Sequence, residues 1–161
     1  MKNRIIKTIA TFFFIGYLPF MPGTWGSLAG ALIYFLVRGN IYLFLCVFFL
    51  LFFTGLYVSG KAEEIFGKKD DKRIVIDEVS GILLLYLLIP PHKLYLISGF
   101  ILFRLFDIFK LYPTKKLERL PRSWGIMSDD VLAALYSFIV ISILMCGLQV
   151  VVSHRSSVVS F

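Results

Sequence analysis

The chain has 161 residues, of which 58% are hydrophobic and only 17% charged, with a net charge of +7 and a mean hydropathy of +0.84. Soluble domains carry about a quarter charged residues and less than half apolar ones, so an ordinary water-soluble domain is excluded and a membrane protein is expected. The basic residues fall between apolar runs, which favours anionic lipid headgroups over nucleic acid as their partner.

In chain order, Lys2, Arg4 and Lys7 precede the run Thr8–Phe20. Pro19, Pro22 and Gly23 follow in place of a small-residue cleavage pattern, so residues 1–20 are expected to remain as an interfacial or partly inserted helix. Trp25–Val37 is a short apolar run with Thr24 as its expected N-cap. Ile41–Val58 is the clearest span, Val79–Ile89 is short, Leu94–Phe109 is interrupted by Arg104 and Asp107, and Val131–Val152 carries no charge. A spanning helix needs about 20 apolar residues, and shorter ones require local thinning or a protein-lined recess. The expectation is an all-α, polytopic membrane bundle of about five helices in one domain, 1–161, some of them short or re-entrant. Cys46 and Cys146 lie in apolar runs without metal-ligand spacing and read as small buried hydrophobes.

Loop charge sets the orientation. Residues 1–23, 61–76 and 110–128 hold three, five and five Lys or Arg, and all three segments share one side in a five-helix chain. The other side holds Arg38, Lys93 and Arg155. The positive-inside bias therefore places the N-terminus and the two long loops in the cytoplasm.

Ten residues are acidic. Glu63, Glu64, Asp70, Asp71 and Glu118 lie in basic loops, where solvated pairing explains them. Asp77 and Glu78 precede an apolar run, Asp107 lies near the end of another, and Asp129 and Asp130 precede the last. The topology puts these five at one depth on the cytoplasmic side. Charges against a membrane mark ion sites or pathways, and a hard divalent cation with oxygen ligands is the simplest counterion. A helix N-terminus favours Asp and Glu in any case, but Asp107 sits near a C-terminus, where that does not apply. Arg104 and Lys110 lie three residues on either side of Asp107, either as an internal ion pair or as phosphate-binding cations beside a ligand. Adjacent helical residues diverge by about 100°, so one member of Asp77/Glu78 and one of Asp129/Asp130 is expected to ligate, with the choice open. The segment Pro22-Gly-Thr-Trp-Gly-Ser-Leu28 admits two readings: an anion site at a helix N-terminus, or small-residue packing through Gly26 and Gly30.

Four segments carry a family resemblance: Pro22–Leu28, Ile76-Asp-Glu-Val-Ser-Gly81, Phe103-Arg-Leu-Phe-Asp-Ile-Phe-Lys110 with Pro113, and Gly125-Ile-Met-Ser-Asp-Asp130 with Ala133. In that order and spacing they resemble the phosphatidylglycerophosphatase A family. Leu111 stands where the family usually has Pro, and Arg122-Ser123-Trp124 where it usually has a Gly pair. The resemblance implies a multi-pass phosphatase of the bacterial inner membrane that hydrolyses phosphatidylglycerophosphate to phosphatidylglycerol with Mg²⁺. It points to Thr24, Ser27, Asp77, Glu78, Arg104, Asp107, Lys110, Asp129 and Asp130 as the polar set. Of these, Asp77, Glu78, Asp107 and Asp130 are expected to hold the metal, Thr24, Ser27, Arg104 and Lys110 to bind phosphate, and Asp107, Asp129, Arg104 and Lys110 to be catalytic. The alternative is a small ion- or proton-coupled transporter using the same carboxylates, which predicts polar residues through the whole bilayer depth.

Overall fold

The computed structural model describes residues 2–109, 112 and 123–158. Among the described residues there are six α-helices and no strand: α1 (Lys2–Ala10), α2 (Pro22–Val37), α3 (Ile41–Phe66), α4 (Ile76–Leu88), α5 (Lys93–Phe109) and α6 (Ser123–Val158), with a short 3₁₀ turn at Ile15–Tyr17. Helices α2 to α6 run alternately up and down, because the turns at 38–40 and 89–92 lie at one end of the bundle. Asn40 caps α3 by accepting hydrogen bonds from Tyr42 N–H and Leu43 N–H, and Gly67 closes it in the left-handed conformation, where a residue without Cβ is unstrained.

Helix α4 is the axis of the bundle and packs against α2, α3, α5 and α6. Its Ile82, Leu83 and Leu85 are fully buried. At about 20 Å it is shorter than the roughly 30 Å hydrocarbon layer, so its neighbours and not lipid must cover it. The outward faces are apolar instead: Leu36 on α2, Leu50 and Phe53 on α3, Ile97 on α5 and Ile143 on α6 are all exposed. A contiguous apolar exterior of this kind suits lipid and not water. Helices α3 and α6 (the latter as far as Gly147) are long and apolar enough to cross a membrane.

Several boundaries depart from the sequence expectation. Helix α3 continues through the charged stretch Lys61–Phe66, where a loop was expected, because the long stems of such residues cover helix surface while their heads stay polar. Helix α6 begins at Ser123, eight residues before the apolar run. Helix α2 begins at Pro22, a residue suited to the first helical position, with Met21 and not Thr24 as the flanking cap. Cys46 and Cys146 are exposed on the outer helix faces and not buried.

Close packing of α2 on α4 depends on missing side chains. A Cβ on Gly30 would overlap Ile82 Cγ2 and lie 2.6 Å from the Val79 carbonyl, and one on Gly26 would lie 2.9 Å from Val75 Cβ. Overpacking a tight interface costs about 1–3 kcal/mol. Gly30→Val is therefore expected to separate α2 from α4 and to lower the thermal unfolding midpoint in detergent, whereas a Val at Gly39, which faces open space, is expected to leave it nearly unchanged.

Candidate functional site

At the end of the bundle opposite the two short turns lies a cavity of about 400 Å³. The start of α2 (Met21, Pro22, Gly23), the 70–74 loop, the first turn of α4, the last turns of α5 and the second turn of α6 form its wall. Each of these elements arrives for a reason visible locally. Alternating helices bring the starts of α2, α4 and α6 and the end of α5 to the same end.

Asp77, Glu78 and Asp130 offer one oxygen each within 4.8 Å of one another. Asp77 and Asp130 are buried, and Asp77 Oδ1, Glu78 Oε2 and Asp130 Oδ1 have no hydrogen-bond partner. Like charges gathered out of water repel and lose hydration, so the arrangement needs compensation. Three clustered carboxylates, each with one orphaned oxygen, suit a hard divalent cation, which takes oxygen ligands and retains waters. The residues fit Mg²⁺ on that ground. Asp77 and Glu78 stand in the first turn of α4, where the helix dipole favours anions. Asp130 does not share that explanation, because α6 begins seven residues earlier and its first turn holds no acidic residue. Gly81 on α4 makes room for it: a Cβ there would lie 2.8 Å from both Asp130 Cβ and Phe103 Cζ.

Opposite the carboxylates sits Arg104. Its Nη1 lies 2.8 Å from Asp107 Oδ2 in an i,i+3 ion pair and donates to Ser27 Oγ at 3.3 Å. Ser27 in turn donates to the Gly23 carbonyl at 3.0 Å. A Cβ on Gly23 would overlap Glu78 Oε1 and lie 2.8 Å from Arg104 Nη2, so a larger residue there would displace the carboxylate and the guanidinium. Arg104 Nε is buried and makes no hydrogen bond, which leaves donor capacity for an anion.

The sequence-derived residues thus divide. Glu78, Arg104, Asp107, Asp129 and Asp130 line the cavity. Asp77 joins the carboxylate cluster, and Ser27 supports Arg104 from behind. Asp107 pairs with Arg104 and lines the cavity, but it is not among the three clustered carboxylates. Thr24 has a buried, unpartnered hydroxyl one residue beyond the wall and is not a cap. Lys110 lies outside the described residues. Of the two readings of the 22–28 segment, small-residue packing is realised by Gly26 and Gly30, and Gly23 lies against Glu78 and Arg104.

The sequence reading missed the 70–74 loop. Asp70, Asp71 and Lys72 line the cavity, whereas the two aspartates were expected to be solvated loop charges. Asp71 is buried and pairs with Arg73, whose Nε and Nη2 donate to Oδ1 and Oδ2 at 2.8 and 2.7 Å. The Arg73 hydrogen bonds hold the Asp71 carboxyl below its ordinary pKa, so it stays ionised through the neutral range. The available signal was proximity, since the loop ends three residues before Asp77.

Fold and site together define a class: a helical membrane protein with a carboxylate cluster and an arginine facing each other in a cavity at one end of the bundle. The chain belongs to the phosphatidylglycerophosphatase A family, whose family model matches residues 8–145. It is 38% identical over 144 residues to a Bacteroides thetaiotaomicron protein described as a putative phosphatidylinositol-3-phosphatase, covering 84% of this chain and 90% of that one. It is 37% identical over 140 residues to phosphatidylglycerophosphatase A of Haemophilus influenzae, covering 84% and 86%. With phosphatidylglycerophosphatase A of Escherichia coli it shares 30% over 132 residues, covering 80% and 77%. No solved structure matches it. The chain is a lipid phosphatase of this family.

Removing one of three crowded carboxylates relieves repulsion in the ion-free protein. A ligand at about 100 times its Kd adds roughly 2.7 kcal/mol of stability. Thermal unfolding in detergent is expected to show a rise in midpoint on adding Mg²⁺ or Mn²⁺ to the wild-type chain. Asp130→Asn is expected to raise the ion-free midpoint and abolish the ion-dependent rise.

Proposed function

We propose that this protein hydrolyses the terminal phosphomonoester of phosphatidylglycerophosphate to give phosphatidylglycerol and phosphate, with Mg²⁺, on the cytoplasmic side of a bacterial inner membrane. The observation that carries this is the pairing, in one cavity, of the orphaned Asp77/Glu78/Asp130 cluster with Arg104. Two relatives bear the name phosphatidylglycerophosphatase A, which supports the substrate.

In this reading Asp77, Glu78 and Asp130 hold the cation, with Asp107 on the wall of the same cavity. When bound, the cation supplies charge neutralisation, polarises a phosphoryl oxygen and makes a coordinated water more acidic. Arg104 binds the phosphate through its unspent donors and offsets charge as it develops in transfer. Asp107 and Ser27 fix the guanidinium so that little reorganisation is needed at the moment of reaction. Lys110 and Thr24 are proposed to add further contacts to the same anion. Asp129, on the cavity wall, takes the proton of the attacking water. Water oxygen bonds to phosphorus, the ester P–O bond breaks, and the departing glycerol alkoxide collects the proton that Asp129 took from the water. Attack by the Asp107 carboxylate in place of water, which breaks the ester P–O bond and leaves a phospho-aspartyl group that water then hydrolyses to free phosphate, is the second route.

The interior of α4 below Asp77 and Glu78 speaks against a transport pathway. Val79, Ile82, Leu83 and Leu85 are fully buried and apolar, so the charged layer ends within one turn. A proton or ion route needs polar groups through the depth.

Purified protein is expected to release phosphate from phosphatidylglycerophosphate only with a divalent cation, and chelation is expected to abolish it. Arg104→Ala is expected to lower kcat/KM by about 10²–10³-fold, the range for losing a preorganised donor. Folded Arg104→Ala or Asp107→Asn protein with near wild-type turnover overturns the assigned roles. Sidedness is read with a cysteine at position 68 in a chain lacking Cys46 and Cys146: labelling by an impermeant reagent is expected in inverted vesicles and not in intact cells.

A further inference from the structure

The cavity wall carries one cation that the reaction described above leaves unused. Lys72 lines the cavity and is exposed, whereas the Arg104 side chain is only 11% exposed, so Lys72 stands at the mouth and Arg104 in the interior. Among the described residues no carboxylate pairs with Lys72. That is unexpected, since its neighbour in sequence is an aspartate.

The reason is the geometry of the turn. Asp71 accepts both Arg73 side-chain hydrogen bonds, and its Oδ1 also accepts Arg73 N–H at 3.0 Å. The Asp71 carbonyl accepts Ile74 N–H at 2.8 Å, closing residues 71–74 into a β-turn with Lys72 at its first central position. Arg73 is clamped as well. Its guanidinium lies 4.0 Å above the Phe66 ring and 5.9 Å from that of Tyr17, and its carbonyl abuts Gly16, where a Cβ would clash. Asp71 is thus spent on Arg73, and the anchored turn presents Lys72 to the cavity with its charge uncompensated. An uncompensated ammonium on a fixed turn at the mouth of an anion-binding cavity is suited to a second, singly charged group.

We infer that Lys72 binds the phosphodiester of the substrate while Arg104 holds the phosphomonoester, making Lys72 a specificity residue for lipids with two phosphates over those with one. This rests on the proposed lipid phosphatase activity. The division of labour follows the chemistry of the two cations. The guanidinium fork suits a phosphate with several free oxygens, and the flexible point charge suits the single negative charge of a diester.

The test compares wild type, Lys72→Gln and Lys72→Arg on phosphatidylglycerophosphate and on phosphatidic acid, which lacks the diester, in mixed micelles with Mg²⁺. For Lys72→Gln, KM for phosphatidylglycerophosphate is expected to rise about tenfold with little change in kcat, while kcat/KM for phosphatidic acid moves less than twofold. Lys72→Arg is expected to restore most of the affinity. An equal loss on both lipids, or no loss on phosphatidylglycerophosphate, overturns the assignment of Lys72 alone. Absence of phosphate release from either lipid by the wild-type protein overturns the activity on which the inference rests, and the Lys72 assignment with it.

Discussion

Three carboxylates held within 4.8 Å of one another in an apolar bundle are the constraint on which the rest of this structure depends. Two come from consecutive positions of the shortest core helix and the third from a helix that begins 45 residues later in the chain. Left alone they repel, and burial removes the water that would screen them. The N-terminal dipole of α4 helps Asp77 and Glu78 but not Asp130, which sits well inside α6. Such a cluster persists only where the surrounding packing enforces it.

The packing that enforces it is unusually close. Gly81 lets Asp130 and Phe103 approach α4, Gly23 fits between Glu78 and Arg104, and Gly26 and Gly30 let the length of α2 lie against α4. In a membrane no hydrophobic drive pulls helices together, so close contact between small residues supplies much of the association. The glycines that give the bundle its stability are therefore also the ones that set the dimensions of the site. A single stripe on α2 does both: its first glycine lies against Glu78 and Arg104, and its later ones lie against Val75, Glu78, Val79 and Ile82 of α4 and the turn before it.

Arg104 balances this cluster, and its placement illustrates how a membrane protein holds a buried cation. It draws an ion pair from its own helix and a hydroxyl from α2, which itself donates to the first turn of that helix. The guanidinium is oriented before any ligand arrives and retains a free donor at Nε. The 70–74 loop repeats the device, with Asp71 and Arg73 satisfying each other and leaving Lys72 on the cavity wall.

Much of this was legible in the residues themselves. Apolar runs and loop charge were enough to give five core helices, their alternation and a shared end for Asp77, Glu78, Asp107, Asp129 and Asp130, because hydrocarbon permits only helices across it and alternation then brings distant residues to one depth. Depth is a one-dimensional property, and a linear pattern can state it. Lateral position is not. Which carboxylates meet, that Ser27 serves the arginine, and that Asp71 and Lys72 belong to the cavity wall were decided by how the helices rotate and pack about α4. Those rotations follow from glycine contacts between residues more than fifty positions apart, such as Gly23 with Glu78 and Gly30 with Ile82, and no local period in the sequence encodes them.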